Sequence, residues 1–300
     1  MTGTFPDGIV YLPLLQDITL TFSELEGTLP HFLGGLKMLR SINLRNNKFT
    51  GTMPSAWMQS RSLQRILIDS NQIVGTISSS ISKLYDLREV SVNGNSLKGT
   101  IPTEIADLNS LEFLLLERNS FNGTIPTEFG RLTNLVSFSA SSNLITGTIP
   151  MEIGNMHILY DFIVTGNLLT GKIPERFWKA TNLQFVEIAD NFLTGPISGK
   201  IATLSYLFHF IITNNQFTGS LPARLGQTDI AIIKASGNMF NGTIAPQLCD
   251  VVEIGQLNVL EMDCAADDGT NSTIGTPEII CPTGCCTLCC TPNGKTCLPN

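Results

Sequence analysis

Apolar and polar positions follow one frame along most of the chain. Residues 108–126, LNSLEFLLLERNSFNGTIP, set Leu108, Leu111, Leu114 and Leu116 ahead of Asn119, Phe121, Gly123, Ile125 and Pro126. Written out, the frame is L-x-x-L-x-x-L-x-L-x-x-N-x-L-x-G-x-I-P. Its glycines are Gly3, Gly27, Gly51, Gly75, Gly99, Gly123, Gly147, Gly171, Gly195, Gly219 and Gly242, spaced by 24 residues except for a last interval of 23. From Gly51 onward an asparagine stands four residues earlier: Asn47, Asn71, Asn95, Asn119, Asn143, Asn167, Asn191, Asn215 and Asn238. The first full coil has Ser23 there. A repeat of this length predicts a solenoid, because one coil cannot bury its apolar face alone and a stack of coils can.

Each column predicts an element. The L-x-L pair alternates with period two and predicts a short strand with both side chains inward. Equivalent pairs are Ile42/Leu44, Ile66/Ile68, Val90/Val92, Leu114/Leu116, Phe138/Ala140, Phe162/Val164, Val186/Ile188, Phe210/Ile212 and Ile233/Ala235. Stacked coils pair these strands into one parallel sheet. The asparagine falls where the chain turns behind the strand, and a buried amide there needs backbone partners, which predicts an asparagine ladder. The glycine allows a tight or positive-φ bend. The proline suits the first position of a short convex helix or turn. Six residues after each glycine an apolar column (Leu33, Trp57, Ile81, Ile105, Phe129, Ile153, Phe177, Ile201, Leu225) packs that turn onto the core.

These residues resemble the plant-type leucine-rich repeat proteins over residues 1–248, and the L-x-G-x-I-P half of the motif marks that subclass. The resemblance implies an α/β solenoid: a right-handed superhelix of about ten 24-residue coils with a parallel sheet on its concave face. Residues 1–11 form a partial first coil. Gly3-Thr4-Phe5-Pro6 occupies the G-x-I-P position, so the chain is expected to be a fragment or trimmed product of something that began upstream. After Gly242 the pattern decays, with Val259–Met262 as a candidate final strand. Residues 249–300 are expected to form a disulfide-rich C-terminal cap. The block from Cys281 to Cys297 resembles the C-terminal cysteine block of diatom leucine-rich repeat proteins.

Net charge is −7, with 18 Lys and Arg against 25 Asp and Glu. That excludes a basic stripe and so argues against a nucleic-acid partner. No apolar run reaches 18 residues, so no membrane segment is expected in this chain, although an upstream anchor is compatible with the fragment reading. The N-terminus does not read as a signal peptide. All eight cysteines follow residue 248: Cys249, Cys264, Cys281, Cys285, Cys286, Cys289, Cys290 and Cys297. An even number crowded into a short tail predicts disulfides in an oxidising compartment, with 105 pairings open. Adjacent cysteines such as Cys285 and Cys286 should bond outward. A metal site is the weaker reading, because His31, His157 and His209 all lie in the repeats. Sequons at Asn122, Asn241 and Asn271 agree with an extracellular or cell-surface location. No catalytic or cofactor-binding motif occurs, so neither enzymatic activity nor a cofactor is expected.

Function must then lie on exposed faces. The central outward column of the sheet reads Thr19, Asn43, Leu67, Ser91, Leu115, Ser139, Ile163, Glu187, Ile211 and Lys234. With it, Phe113, Leu115, Tyr160, Ile163, Phe185, Phe208, His209 and Ile211 form a candidate ligand-binding group, because aromatic side chains anchor interfaces. Earlier coils carry Arg40, Arg45, Arg65 and Arg88 beside Asp69 and Glu89. The reading is non-catalytic extracellular recognition of a protein, peptide or glycan, as a receptor-type ectodomain or a secreted binder. One alternative is an inhibitor of a secreted hydrolase, similar to the polygalacturonase-inhibiting branch of the family, which carries an N-terminal cysteine cap that this sequence does not contain. Another is an ice or mineral binder using the threonines after the repeat glycines: Thr4, Thr28, Thr52, Thr76, Thr100, Thr124 and Thr148, then Thr243.

Overall fold

Alternating branched and leucine side chains make each L-x-L segment extended, and a three-residue strand gains its hydrogen bonds only from neighbouring coils. The computed structural model describes residues 2–263, 279–280, 285–290 and 297–299. They fall into two compact units, Met1–Thr146 and Gly147–Asn300. In the first unit β1 (Asp17–Thr19), β2 (Ser41–Asn43), β3 (Arg65–Leu67), β4 (Glu89–Ser91), β5 (Phe113–Leu115) and β6 (Ser137–Ser139) pair side by side in chain order. Their register stacks Ile18, Ile42, Ile66, Val90, Leu114 and Phe138 into one buried column. Each such side chain contributes about 1.5–3 kcal/mol on leaving water.

The second unit repeats the arrangement with β7 (Asp161–Ile163), β8 (Phe185–Glu187), β9 (His209–Ile211), β10 (Ile232–Lys234) and β11 (Val259–Asp263). Here Phe162, Val186, Phe210, Ile233 and Leu260 form the buried column. The sheet runs on through β12 (Leu288–Cys290), parallel to β11, and β13 (Cys297–Pro299), antiparallel to β12.

The asparagine ladder forms and satisfies both ends of the amide. Asn71 donates from Nδ2 to the carbonyls of Leu44 at 2.9 Å and Ile68 at 3.1 Å, and its Oδ1 accepts the Phe49 amide at 3.0 Å. Asn191 does the same with Val164, Ile188 and the Leu169 amide in the second unit. One side chain thus ties its own coil to the preceding one through backbone groups that would otherwise be buried without partners.

The convex side forms the expected short turns but places most of its prolines differently. It is made of short 3₁₀ turns, such as Ser55–Gln59 and Ala223–Gln227, and the α-helix among the described residues is α1 (Pro246–Glu253). Prolines such as Pro30, Pro54, Pro102 and Pro126 stand one residue before the 3₁₀ turn, whereas Pro246 opens α1. Pro54 is extended at φ −66° and ψ 126°, and its carbonyl accepts the Trp57 amide at 3.1 Å. A ring with no N–H fits this extended position, and its carbonyl starts the three-residue turn. Where serine replaces proline, at Ser78 and Ser198, the hydroxyl accepts the amide two residues on and supplies the cap.

Two glycines show what the repeat demands. Gly123 has φ +74°, and a Cβ there would lie 2.7 Å from the Thr100 methyl. Gly237 has φ +67°, and a Cβ would meet Asn214 Oδ1 at 2.2 Å. In the C-terminal segment, Cys285 bonds to Cys249 of α1 with Cα atoms 4.7 Å apart, and not to its neighbour Cys286, which is itself disulfide-bonded.

Candidate functional site

The two units present different chemistry on their strand faces. In the first, Arg45, Arg65 and Arg88 are each paired with carboxylates of the same unit. Arg45 pairs through Nε with Asp69 and through Nη2 with Glu89 at 3.2 Å. Arg65 reaches Asp17 at 3.4 Å, and Arg88 pairs with Glu112. Asp69, buried, also accepts the Ser91 hydroxyl and the Asn93 amide. Leu67, Ser91 and Ser139 of the outward column are therefore buried, not exposed. Ser91 sits in register between Leu67 and Leu115, and its hydroxyl is spent on Asp69. Phe113 and Leu115 are half-buried on β5, between Glu89 and Ser137 and between Ser91 and Ser139.

In the second unit the face is aromatic. The Tyr160 and Phe185 rings lie 5.4 Å apart, Phe185 and Phe208 6.1 Å, and Phe185 and His209 4.7 Å. Phe208 and His209 stack at 5.0 Å with 15° between their planes. Tyr160 at 36% and Phe208 at 42% are exposed, while Phe185, His209, Ile163 and Ile211 are half-buried. Consecutive residues of a strand ordinarily point to opposite faces. In coils of both units two consecutive amides share one carbonyl at the strand entry, as those of Phe208 and His209 do with Gln184 O, each at 2.9 Å. The Phe208 and His209 rings stack on each other and so share a face. The Gln184 and Phe185 amides share Tyr160 O in the same way.

At the far end of this sheet, Glu261 and Asp263 are buried. Burial, and then the nearby Glu261, raise the Asp263 carboxyl above the ordinary range, although the Gly237 and Asn238 amides pull the other way. Ser236 donates to Glu261. Among the described residues no group of three His, Cys, Asp or Glu side chains could hold a metal ion, and no helix is long and apolar enough to cross a membrane.

Thr4, Thr28, Thr100 and Thr243 lie in short strands and Thr52, Thr76, Thr124 and Thr148 just after the repeat glycines outside them, and all eight are exposed. In the first unit Thr76, Thr100 and Thr124 line an open groove of about 770 Å³, opposite Ser79, Thr103 and Thr127.

A family model described as Leucine rich repeat matches residues 13–73 and 61–121. Together with the stacked strands and the ladder, this decides the architecture. The fold is a leucine-rich repeat solenoid. No curated protein matches the sequence. Among solved structures the solenoid is similar to the plant peptide hormone receptor RGFR1 in complex with RGF2, at 30% identity and TM-score 0.83, over 88% of this chain and 42% of that one. It is also similar to a TDR receptor, at 26% identity and TM-score 0.81, over 87% and 49%. The Arabidopsis receptor kinase HAESA, in complex with the peptide hormone IDA and the co-receptor SERK1, matches at 26% identity and TM-score 0.71, over 91% and 50%. The chain therefore spans half or less of the length of these receptors.

Within the solenoid, Tyr160, Phe185, Phe208 and His209 come together, with Ile163 and Ile211 on the same sheet. Phe113 and Leu115 belong to the first unit and lie among polar neighbours there. Asn122 and Asn241 are exposed on edge segments. Asn271, Cys264 and Cys281 lie outside the described residues, as do the side-chain surroundings of Cys289, Cys290 and Cys297. Sequence reasoning named Glu187 only as an outward residue and passed over Asp161. The register places Asp161 beside Phe185, and Glu187 between Ile163 and Ile211.

Proposed function

We propose that the chain is a non-catalytic extracellular recognition module whose second unit holds a peptide or protein segment across its strand face. The observation that carries this is the aromatic row Tyr160–Phe185–Phe208, exposed at both ends on a rigid parallel sheet. Aromatic side chains lose little entropy on binding and bring large contact area. The resemblance to receptor ectodomains whose solved complexes contain peptide hormones supports the same reading. Residues 249–300 serve as the terminal cap, with Cys249–Cys285 tying α1 to the last strands, and Asn122 and Asn241 carry glycans.

Random-peptide display on the purified chain tests the binding site. Peptides enriched on the wild type should be lost on the Tyr160→Ala, Phe185→Ala, Phe208→Ala triple variant, with circular dichroism unchanged. Equal enrichment on the variant overturns the reading. A glycosidase shift that disappears in Asn122→Gln and Asn241→Gln after secretion from eukaryotic cells tests the glycan sites and the compartment together.

A second reading rests on the threonine edge. The methyls of Thr52, Thr76, Thr100 and Thr148 each lie over the next coil's glycine, where an added Cβ would come within 2.7–2.9 Å of them, so the repeat glycine leaves room for the threonine column. Thermal hysteresis or ice shaping by the purified chain would support surface binding, and ordinary freezing would remove it.

A further inference from the structure

We infer that the segment held on the second unit's strand face carries lysine or arginine, with Glu187 as its ionic anchor. This rests on the reading of that face as a peptide-binding surface. Glu187 lies on β8, on the same face as Phe185, and in register between Ile163 and Ile211. Its side chain is 27% exposed. No hydrogen bond reaches its carboxylate among the described residues. Its ionic neighbour within 4 Å is His209 Nδ1 at 3.9 Å, a group that is charged only when protonated. The other cation on these strands, Lys234, lies 4.0 Å from Glu261.

In the first unit the equivalent problem is solved internally, because Asp69 and Glu89 share Arg45. The second unit has no arginine on its strands to do this. A half-buried carboxylate surrounded by apolar side chains is poorly served unless a cation arrives. A lysine or arginine of the partner would supply the charge-assisted hydrogen bond, and the faces of Phe185, Phe208 and Tyr160 attract the same cation. An acidic or uncharged segment covering the site would strip water from Glu187 and return nothing, so the site selects against it.

The experiment takes peptides enriched by random display on the purified chain and measures them by calorimetry on the wild type, Glu187→Gln and the triple alanine variant. Lysine or arginine should be enriched, and Glu187→Gln should weaken binding about tenfold. Replacing the peptide's own basic residues with glutamine should give a similar loss, which does not depend on the variant protein's folding. Wild-type affinity should also fall with added salt, and that of Glu187→Gln should fall less. The inference is overturned by neutral or acidic peptides binding equally well, or by a change within about twofold in Glu187→Gln. A glycan array whose hits vanish in the triple variant also overturns it. If neutral peptides still depend on the aromatic row, the proposed function survives and only the basic preference falls. If no peptide depends on that row, both fall.

Discussion

The strand face of residues 17–139 and that of residues 161–263 are built on the same coil but spend their outward positions differently. The first carries Arg45, Arg65 and Arg88, each engaged with a carboxylate of its own unit. The second replaces arginine with Phe185, Phe208 and Tyr160, and among the described residues the ionic neighbour of Glu187 within 4 Å is His209. Inward positions are interchangeable between the units, because every coil must bury the same column. Outward positions are free of that demand, so the same frame yields a self-neutralised surface in one unit and an open one in the other. The difference shows that a repeat protein separates folding from recognition by side-chain direction alone.

The comparison can be broken first at its common part. Trp57→Ala in the first unit and Phe177→Ala in the second, both fully buried, should each cost about 3–5 kcal/mol in chemical denaturation. A much smaller loss in one unit would mean that the cores are not equivalent. Asn71→Ala and Asn191→Ala should follow at about 3 kcal/mol, since each leaves more than one backbone group without a partner. Arg45→Ala should cost about 1–3 kcal/mol, because it leaves Asp69 and Glu89 without their cation. Phe208→Ala, by contrast, should change the unfolding free energy by only about 0.5 kcal/mol, as expected of an exposed side chain whose role lies in binding. If Phe208→Ala destabilised as much as Arg45→Ala, the aromatic row would be scaffold.

The smallest effect concerns Asp263. Its carboxyl is raised in the folded chain by burial and then by Glu261, so the folded state holds this proton more tightly than the unfolded state. Its contribution to stability is present below the ordinary carboxylate value of about 3.9 and is lost as pH rises through the raised value. Melting midpoints measured across that window should fall with pH more steeply in the wild type than in Asp263→Asn.

The order of coils, the inward columns and the ladder were legible from periodicity, because burial and backbone satisfaction impose the same residue at the same offset in every coil. The place of proline was not. Proline was read as a first helical residue, yet Pro54 is extended and stands just before its 3₁₀ turn. The residues before the ladder asparagines were also silent in the pattern. Asn46, Ser70, Arg118 and Asp190 adopt positive φ without a shared side chain, as Gly94 and Gly166 do more easily.

The candidate face was half legible. Phe113, Leu115, Tyr160, Ile163, Phe185, Phe208, His209 and Ile211 all stood out as outward residues, and the sequence alone determined that. Only the tertiary structure decided their company. It set Phe113 and Leu115 among serines and Glu89, and stacked Phe208 on His209. It also buried Ser91 under its bond to Asp69 and left Glu187 in an apolar setting. The physical reason is that periodicity reports which face a residue takes within its own coil. What lies beside it comes from other coils, 24 residues away in the chain and one strand spacing, about 4.8 Å, away in space.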